Sequence, residues 1–260
     1  MADLTVLITG ATNGHGLGLA RRLAADGATV VLHGRTLSKA SAAASSIPGT
    51  VETVAADLGE LSAVEALGAE VRSRFPSLDV LVNNAGIGSG PPGQERQVSA
   101  DGIELRFAVN YLAGVVLTAA LLPGLARVVN VASLGQAPLD PSDPLLERSY
   151  SGGQAYAQSK LAQIMYTIDL AASGVTANAI HPGTYMPTGM VAEAGISPLT
   201  ALEDGVAATA RLVSLEVVTG RFFDGQREAS ADPTAYDPAA REYLRALTDK
   251  LLLSALPARA

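Results

Sequence analysis

The chain has 260 residues, including 26 glycines, and 48% of its residues are hydrophobic. This composition suits one α/β domain with a sizeable buried core and excludes a disordered or fibrous protein. The formal net charge is −7 and the 18 basic residues form no run, which argues against nucleic acid as a partner.

Apolar, β-branched runs alternate along the chain with amphipathic stretches that end at Gly or Pro. Such runs are typical of buried parallel strands, and the stretches between them are typical of helices. The predicted strands are Thr5–Thr9, Thr29–His33, Val51–Ala55, Val80–Asn83, Val128–Val131 and Val175–Ile180. The predicted helices are Leu17–Asp26, Leu61–Arg74, Gly102–Leu121 and Gln154–Ala172. This order predicts an α/β fold, a doubly wound parallel sheet with helices on both faces, in a single domain over residues 1–260.

Two segments interrupt the alternation, and each directly follows a predicted strand. Residues 134–152 contain several prolines, and residues 183–200 are rich in Gly, Pro and Met. Because ligands bind outside the carboxyl ends of strands in open α/β sheets, both segments are predicted to be substrate loops.

The glycine-rich stretch TGATNGHGLG, residues 9–18, follows the first predicted strand. Its glycines allow a tight turn and a close approach of the backbone, and a helix that begins near Gly16 offers free N–H groups to a pyrophosphate. An ordinary glycine-rich turn is the alternative. His15 lies in this turn, where local packing explains its ring better than chemistry does. The predicted cofactor contacts here are Gly10, Thr12, Asn13, Gly14, His15 and Gly16.

The end of the second strand bears on the choice of cofactor. NAD-binding folds place an acidic residue there to hold the ribose 2′-hydroxyl, whereas this chain has Gly34 and Arg35 in LHGRT. An arginine can bind a 2′-phosphate through two parallel hydrogen bonds, and a carboxylate would repel it. We therefore expect NADP(H) rather than NAD(H), the alternative being that Arg35 is an ordinary surface residue.

Tyr156 and Lys160 lie four residues apart in AYAQSK, within a predicted helix. One helical turn separates them, so both side chains emerge on the same face. The pattern alone is weak evidence for a proton-transfer pair.

Seven short motifs in a fixed order support a catalytic role for Tyr156 and Lys160. They are TGxxxGxG at Thr9–Gly16, ADL at Ala56–Leu58, NNAG at Asn83–Gly86, Asn110 in FAVNYLAG, Ser133 in VVNVAS, Tyr156 and Lys160 in YAQSK, and HPG at His181–Gly183. With them, nearly the whole chain resembles the short-chain dehydrogenase/reductases, which have a Rossmann-like fold. The stretch SYSGGQAYAQSKLAQIMYTIDLA is similar to retinol-dehydrogenase-like and protochlorophyllide-reductase-like members.

The resemblance implies four catalytic residues and an interconversion of carbonyl and alcohol by hydride transfer. Tyr156 would be the acid/base, and Lys160 would favour its phenolate and hold the nicotinamide ribose. Ser133 would steady the substrate oxygen. Asn110 would continue a water-linked proton path to Lys160.

The resemblance also implies further cofactor contacts by position. Asp57 and Leu58 would flank the adenine, and the loop after HPG would cover the nicotinamide amide. Thr184 and Thr188 are both candidates for that contact, because the spacing after Pro-Gly is one residue longer than in the family. The remaining predicted contacts are Asn83, Ala85, Gly86, Pro182, Gly183 and Met186, besides Tyr156 and Lys160.

Both substrate loops are apolar, and Arg148 is the only basic residue in them. Such side chains suit an adaptable apolar pocket, so we expect an aldehyde, ketone or alcohol of small to moderate size, not a sugar phosphate or an acyl-CoA. Simple packing of the loops is the alternative explanation. The candidate pocket residues are Leu139, Leu145, Leu146, Tyr150, Tyr185, Met186, Met190, Val191 and Ile196.

Two other functions stay open at this point. Tyr156 could protonate carbon instead of oxygen, which would make the protein an NADPH-dependent C=C reductase. An NADP-binding regulator without turnover is the other alternative, although such proteins typically lose the Tyr or the Lys, and this chain keeps both.

Two predicted helices, Gly102–Leu121 and Gln154–Ala172, are apolar over much of their circumference. A helix that is apolar all round needs partners on more than one side, and in the family the equivalent helices pair across a two-fold axis. A homodimer or homotetramer is therefore expected. Ser133 and Tyr156 are 23 residues apart, the second helix closes early at Gly174, and the link LLPGLARVV is short. These departures from the family leave the catalytic residues in place.

The compartment, the membrane and metals can be addressed from composition. The chain has no cysteine, which excludes disulfides and thiol catalysis and fits a cytoplasmic protein. The N-terminal stretch MADLTVLITG has no basic leader and only a strand-length apolar run, so we expect neither a signal peptide nor a membrane anchor. No histidine has close carboxylate spacing, and no metal site is predicted.

Overall fold

The computed structural model describes residues 4–256, in which eight strands form one sheet. The strands are β1 (Thr5–Ile8), β2 (Thr29–Gly34), β3 (Val51–Ala55), β4 (Val80–Asn83), β5 (Arg127–Val131), β6 (Thr176–His181), β7 (Phe222–Asp224) and β8 (Arg227–Ala229). Their order in the sheet is β3-β2-β1-β4-β5-β6-β7-β8, and every neighbouring pair is parallel except β7 with β8. The chain reverses direction across the sheet between β1 and β4, as a doubly wound fold does. The predicted α/β architecture is confirmed.

Helices cover both faces of this sheet. They are α1 (Gly14–Ala25), α2 (Leu37–Ala44), α3 (Leu61–Arg74), α4 (Ala113–Leu121), α5 (Gly152–Ala172), α6 (Gly189–Glu193), α7 (Leu202–Ser214) and α8 (Pro238–Ala255). Successive strand residues point to opposite faces, so Leu7 lies in the core under α3, α4 and α5, whereas Val6 and Ile8 lie in the core under α1 and α7.

The helix predicted over Gly102–Leu121 begins later than expected. Gly102 has a φ of +74°, which a right-handed helix does not allow, and Glu104 forms an isolated β-bridge with Val98. The Glu104 carboxylate then accepts the backbone N–H of Phe107 at 2.7 Å, where a π-helical segment, Phe107–Leu112, leads into α4. The prediction was wrong for the first turn because a glycine turn and a bridge lie inside the apolar pattern.

The two helices expected to need a second subunit are buried within the single chain. Nearly all of α4 and most of α5 are shielded from solvent, and the C-terminal helix α8 packs against α5. Asp169 of α5 accepts Arg241 Nε at 2.9 Å and Arg245 Nη1 at 2.8 Å, and Leu244 of α8 joins the same core. Because α3 packs on α4 and α8 packs on α5, the apolar circumference of these two helices does not by itself require a second subunit. The homodimer or homotetramer stays a prediction.

Over residues 4–256 the structure has no helix that is both long enough and apolar enough to cross a membrane.

Candidate active site

The glycine-rich turn after β1 lies against the segment that follows β4. Gly10 has a φ of +64°, and a Cβ there would lie 2.8 Å from the Cα of Ala85. A Cβ on Gly16 would lie 2.6 Å from the carbonyl oxygen of Gly10. Side chains at these two positions would force the two segments apart, so the turn requires glycine at both.

Hydrogen bonds from Thr9 and Asn84 hold the two segments together. Thr9 Oγ1 accepts the backbone N–H groups of Asn84 and Ala85, both at 3.0 Å. The Asn84 amide donates to the carbonyl oxygens of Thr9 at 2.7 Å and Gly10 at 3.2 Å. Asn84, the second Asn of NNAG, is thus a supporting residue that the sequence motif did not distinguish from its neighbour.

His33, at the end of β2, fixes the turn from the other side. Its Nδ1 accepts the backbone N–H of Gly10 at 3.1 Å, and its Nε2 lies 3.1 Å from the carbonyl oxygen of Ala56. Burial lowers the pKa of His33 to about 4. The ring is therefore neutral at pH 7, in the tautomer that accepts at Nδ1 and donates at Nε2.

The His15 ring packs locally, as expected, and is fully engaged within the protein. Its Nδ1 lies 2.8 Å from Asn84 Oδ1, and its Nε2 lies 3.0 Å from Thr209 Oγ1 of α7. Burial lowers the pKa of this histidine. The ring cannot provide the cofactor contact predicted for His15, and only its backbone could do so.

The start of α1 fits an anionic group. The helix has no acidic residue in its first turn, and Gly14, its first residue, has a φ of +50°. Asn13, the N-cap residue, is exposed and uses no side-chain cap, and the Thr12 methyl lies against Gly34 at the end of β2. Free N–H groups at such a terminus favour a phosphate, so the turn fits the pyrophosphate of a dinucleotide.

Arg35 and Asp57 lie at neighbouring strand ends, where adenosine contacts were predicted. Gly34 pairs with Ala55 across β2 and β3, which places Arg35 beside the start of the segment with Asp57. Both side chains are exposed, whereas Leu58 is buried, and Asp57 Oδ1 accepts the N–H of Gly59 at 2.9 Å.

The side chain of Asn83 points away from this edge. Its Nδ2 donates to Asn130 Oδ1 at 2.9 Å and to Thr118 Oγ1 at 3.3 Å, between β4, β5 and α4. The predicted cofactor contact cannot come from this side chain. Ala85 touches the Gly10 position and Gly86 lies next to Lys160 Nζ, so both lie between the glycine turn and α5, and their cofactor contacts stay a prediction.

Tyr156, Ser133 and Lys160 come together at the carboxyl end of β5. A Cβ on Gly135 would lie 3.5 Å from Ser133 Oγ and 3.7 Å from the Tyr156 ring, so these two side chains lie beside the same glycine. Lys160, one turn along α5, places Nζ 5.7 Å from the centre of the Tyr156 ring. It donates to the Val131 carbonyl oxygen at 2.8 Å and to Gln163 Oε1 at 2.9 Å.

The direction of the Tyr156 pKa differs from the one expected. Burial raises this pKa above its ordinary value, and the Ser133 hydroxyl opposes the change only in part. Burial also lowers the pKa of Lys160 to about 7, which weakens its positive charge near neutral pH. The expected lowering of the Tyr156 pKa by Lys160 is therefore not found in this structure, where burial is the largest influence on the Tyr156 pKa.

Asn110 lies in the π-helical segment, and its amide is satisfied by the protein. Its Oδ1 accepts the Ile87 N–H at 2.7 Å, and its Nδ2 donates to the Ile87 carbonyl at 3.1 Å and to Ser159 Oγ at 2.9 Å. These bonds fix the segment after NNAG against α5. A proton path from Asn110 to Lys160 stays a prediction.

The loop after HPG places Thr184 and Thr188, the two candidates for the nicotinamide contact, in different surroundings. Thr184 Oγ1 lies 3.1 Å from His181 Nε2, whereas the Thr188 side chain lies against Gly14 of the glycine turn. Thr188 is therefore the one that reaches the cofactor turn. Met186 is buried, and its thioether packs on Gly205 of α7, so the contact predicted for Met186 belongs to the core instead.

Pro182 and Gly183 lie beneath that loop. Pro182 is buried, and a Cβ on Gly183 would lie 2.8 Å from the Thr200 methyl. Met190 of α6 touches Gly88, so the loop reaches from the glycine turn to the segment after β4. It thus covers the edge of the sheet where the cleft was predicted.

Comparison with known proteins decides the family. A family model described as short chain dehydrogenase matches residues 4–197. The chain belongs to this family. It is 34% identical over 269 residues to Retinol dehydrogenase 13 of Mus musculus, with 90% of this chain and 79% of the mouse protein covered. It is 32% identical to the Homo sapiens protein of the same name, with 95% and 84% covered.

Several solved structures share the fold. A protein from Mycobacterium Paratuberculosis superposes with a TM-score of 0.81 at 32% identity, with 95% of this chain and 92% of that chain covered. A short chain dehydrogenase from Burkholderia cenocepacia J2315 in complex with NADP gives 0.67 at 28% identity, with 90% and 98% covered. A 3-ketoacyl-(acyl-carrier-protein) reductase from Brucella melitensis complexed with NADH gives 0.68 at 28% identity, with 85% and 96% covered. A nicotinamide cofactor is thus supported for this oxidoreductase.

The apolar side chains of the two substrate loops divide into two groups. In the first loop Leu146 is buried, Leu139 and Leu145 pack against the core, and the Tyr150 hydroxyl is bound by Arg106. Exposed apolar side chains come from the second loop and from the start of the first: Leu134, Tyr185, Ile196 and Leu199. The packing alternative therefore holds for most of the first loop, and the second loop presents the apolar surface.

Two residues that the motifs do not mark support the site of this short chain dehydrogenase. Arg106, fully buried, donates to the Gly88 carbonyl at 2.6 Å and to Tyr150 Oη at 2.6 Å. Gln163 binds Lys160. Both could have been recognised in the sequence as polar residues within apolar helical runs, Arg106 in ELRFAV and Gln163 in KLAQIM.

Proposed function

We propose that this short chain dehydrogenase is an NADP(H)-dependent oxidoreductase that interconverts a carbonyl and an alcohol on an apolar substrate of small to moderate size. The observation that carries the proposal is the placement of Ser133 and Tyr156 beside Gly135, with Lys160 one turn away on α5. Two hydroxyl groups on neighbouring side chains can both bind a single substrate oxygen.

The residues of this chain would handle the proton while the bound nicotinamide supplies or accepts the hydride. Ser133 would donate a hydrogen bond to the carbonyl oxygen and hold it beside Tyr156. Because burial raises the pKa of Tyr156, its hydroxyl stays protonated at neutral pH and is ready to give the proton in the reducing direction. In the reverse direction, Lys160 would stabilise the phenolate that accepts a proton from an alcohol.

The preference for NADP over NAD rests on Arg35. We expect Arg35→Asp to weaken NADPH binding by about 10- to 100-fold, because a charge-assisted phosphate contact is replaced by a like charge. NADH binding should change little. Titration of both cofactors by the quenching of intrinsic protein fluorescence would measure the effect.

The matched control is Arg72→Asp, which changes the net charge equally at an exposed position on α3. It should leave both affinities unchanged. A wild-type protein that binds NADH more tightly than NADPH would show that Arg35 is an ordinary surface residue.

The proposed substrate class rests on the exposed apolar side chains of the second loop, among which Leu199 is 72% exposed. The test is a panel of aliphatic and aromatic aldehydes, ketones, enones and phosphorylated sugars, assayed by NADPH oxidation. We expect kcat/KM to be highest for an apolar aldehyde or ketone. A preference for the phosphorylated sugar would contradict the substrate class, and selective reduction of the enone double bond would favour the C=C reductase instead.

A further inference from the structure

Lys160 is held from two sides by neutral oxygen atoms. The side chain is 3% exposed, and Nζ donates to the carbonyl oxygen of Val131 on β5 and to Gln163 Oε1 on α5. Both partners are acceptors without charge, so they satisfy N–H groups without neutralising the ammonium. A Cβ on Gly86 would lie 3.5 Å from Nζ, so the amine lies beside that glycine.

The helix turn at residue 163 is anchored by a chain of buried polar groups. The backbone carbonyl oxygen of Gln163 accepts Thr167 Oγ1 at 2.8 Å, and Thr167 Oγ1 accepts Asn130 Nδ2 at 2.9 Å. Asn130 Oδ1 in turn accepts Asn83 Nδ2 at 2.9 Å. The first Asn of NNAG is thus linked through β5 to the backbone of the helix turn from which the Gln163 side chain reaches Lys160 Nζ.

We propose that Gln163 is a positioning residue that fixes the Lys160 amine beside the catalytic tyrosine and sets its charge. The positioning of Lys160 does not depend on the proposed function, but its effect on catalysis does. Lys160 can stabilise the Tyr156 phenolate only while the Lys160 amine is protonated. The amide oxygen favours the ammonium by a hydrogen bond, and a carboxylate at the same place would favour it more strongly.

Few other charges reach Lys160. Tyr156 faces Lys160 from α5, and His181 faces it from the end of β6. Burial is the main reason why the pKa of His181 is lowered, and the positive charge of Lys160 lowers it further. Asp224 of β7 interacts with His181. The other partner of Nζ is the backbone carbonyl of Val131, which a substitution cannot change. Position 163 is therefore where a substitution can alter the charge next to Nζ.

The experiment uses the small number of lysines in the chain, which are Lys39, Lys160 and Lys250. NMR spectra of protein labelled with ¹³C at lysine Cε would resolve three signals, and Lys160→Arg would assign one of them. Burial lowers the pKa of Lys160 to about 7. A titration from about pH 5 to about pH 11 therefore covers both this lowered pKa and the ordinary pKa of lysine.

We expect Gln163→Glu to raise the pKa of Lys160 by about one to three pH units and Gln163→Leu to lower it. The matched control is Gln158→Leu, which removes another buried amide from α5, one that binds the Pro138 carbonyl at 3.2 Å. The control should leave the Lys160 titration unchanged. Gln163→Met, which keeps the length of the side chain, serves if the leucine variant does not fold.

The same pKa of Lys160 in wild type and in all folded Gln163 variants would overturn the proposal. Opposite shifts in the glutamate and leucine variants would support it, since a purely structural role does not predict opposite signs. The titration needs neither substrate nor cofactor. If no substrate in the panel turns over but the pKa shifts as expected, the proposed function fails and the positioning role stands.

Discussion

Tyr156→Phe is expected to lower kcat by about 100- to 10,000-fold, the range that a single general acid contributes. The substitution keeps the ring and removes the hydroxyl that lies near Ser133 and would deliver the proton. NADPH affinity should persist, because the glycine turn and Arg35 are unchanged. Steady-state kinetics on the best substrate of the panel would measure kcat, and equilibrium titration would measure the affinity.

A second tyrosine of α5 provides the control for this variant. Tyr166 lies ten residues further along the same helix, and burial raises its pKa as it does for Tyr156. Its ring packs edge-on against Tyr111 in the core, with 6.2 Å between the ring centres, and no bond to Ser133 is found for it among the described residues. We expect Tyr166→Phe to retain kcat within a few-fold. Near-normal turnover of Tyr156→Phe would remove Tyr156 from the mechanism.

The central part of the fold was predictable because its signals are local. The strands β3 and β4 and the helix α3 have the predicted bounds, since each is a single apolar or amphipathic run with a clear end. The parallel order then brings the ends of β1, β4 and β5 to one edge, and with them the glycine turn, the NNAG segment and Ser133. A repeating pattern and a topology rule were sufficient for this much of the site.

Other elements could not be predicted because their signals are short or weak. The strands β7 and β8 have three residues each, and α2 consists largely of Ala and Ser. Helix α8 has charged residues on much of its length, yet it buries Leu244 against the core and covers α5. The expectation of a second subunit did not take this helix into account, because apolar periodicity shows that a face is covered but not what covers it. The homo-oligomer itself stays a prediction.

Side-chain partners distant in sequence were the other limit. Nothing local to Asn83 indicates that its amide turns to Asn130, 47 residues later, and not to the cleft. Met186 likewise gives no sign in the sequence that it packs on Gly205. Motifs therefore located the candidate catalytic residues, whereas the direction of each supporting polar group depended on tertiary packing.

The largest effect on stability is expected for Arg106, which joins three segments around the site. It donates to the carbonyl oxygens of Gly88 and Ser89, to Gln94 Oε1 and to Tyr150 Oη at distances of 2.6 to 3.0 Å. It also lies 3.6 Å from the buried carboxylate of Glu104. These contacts tie the segment after β4 to the loop that leads into α5.

Arg106→Leu should reduce the free energy of unfolding by about 3–5 kcal/mol, because it leaves the Glu104 carboxylate buried without its guanidinium. Arg106→Lys should have a smaller effect, since it keeps the charge but has three donors in place of five. Urea denaturation followed by circular dichroism would measure both.

The control is Arg22→Leu, which removes an exposed pair with Asp26 at 2.8 Å and should cost no more than about 1 kcal/mol. Arg106→Leu and Glu104→Leu combined should recover part of the loss, because no unpaired charge then remains in the core. If Arg106→Leu proved no more destabilising than Arg22→Leu, the network around Arg106 would not hold the site together.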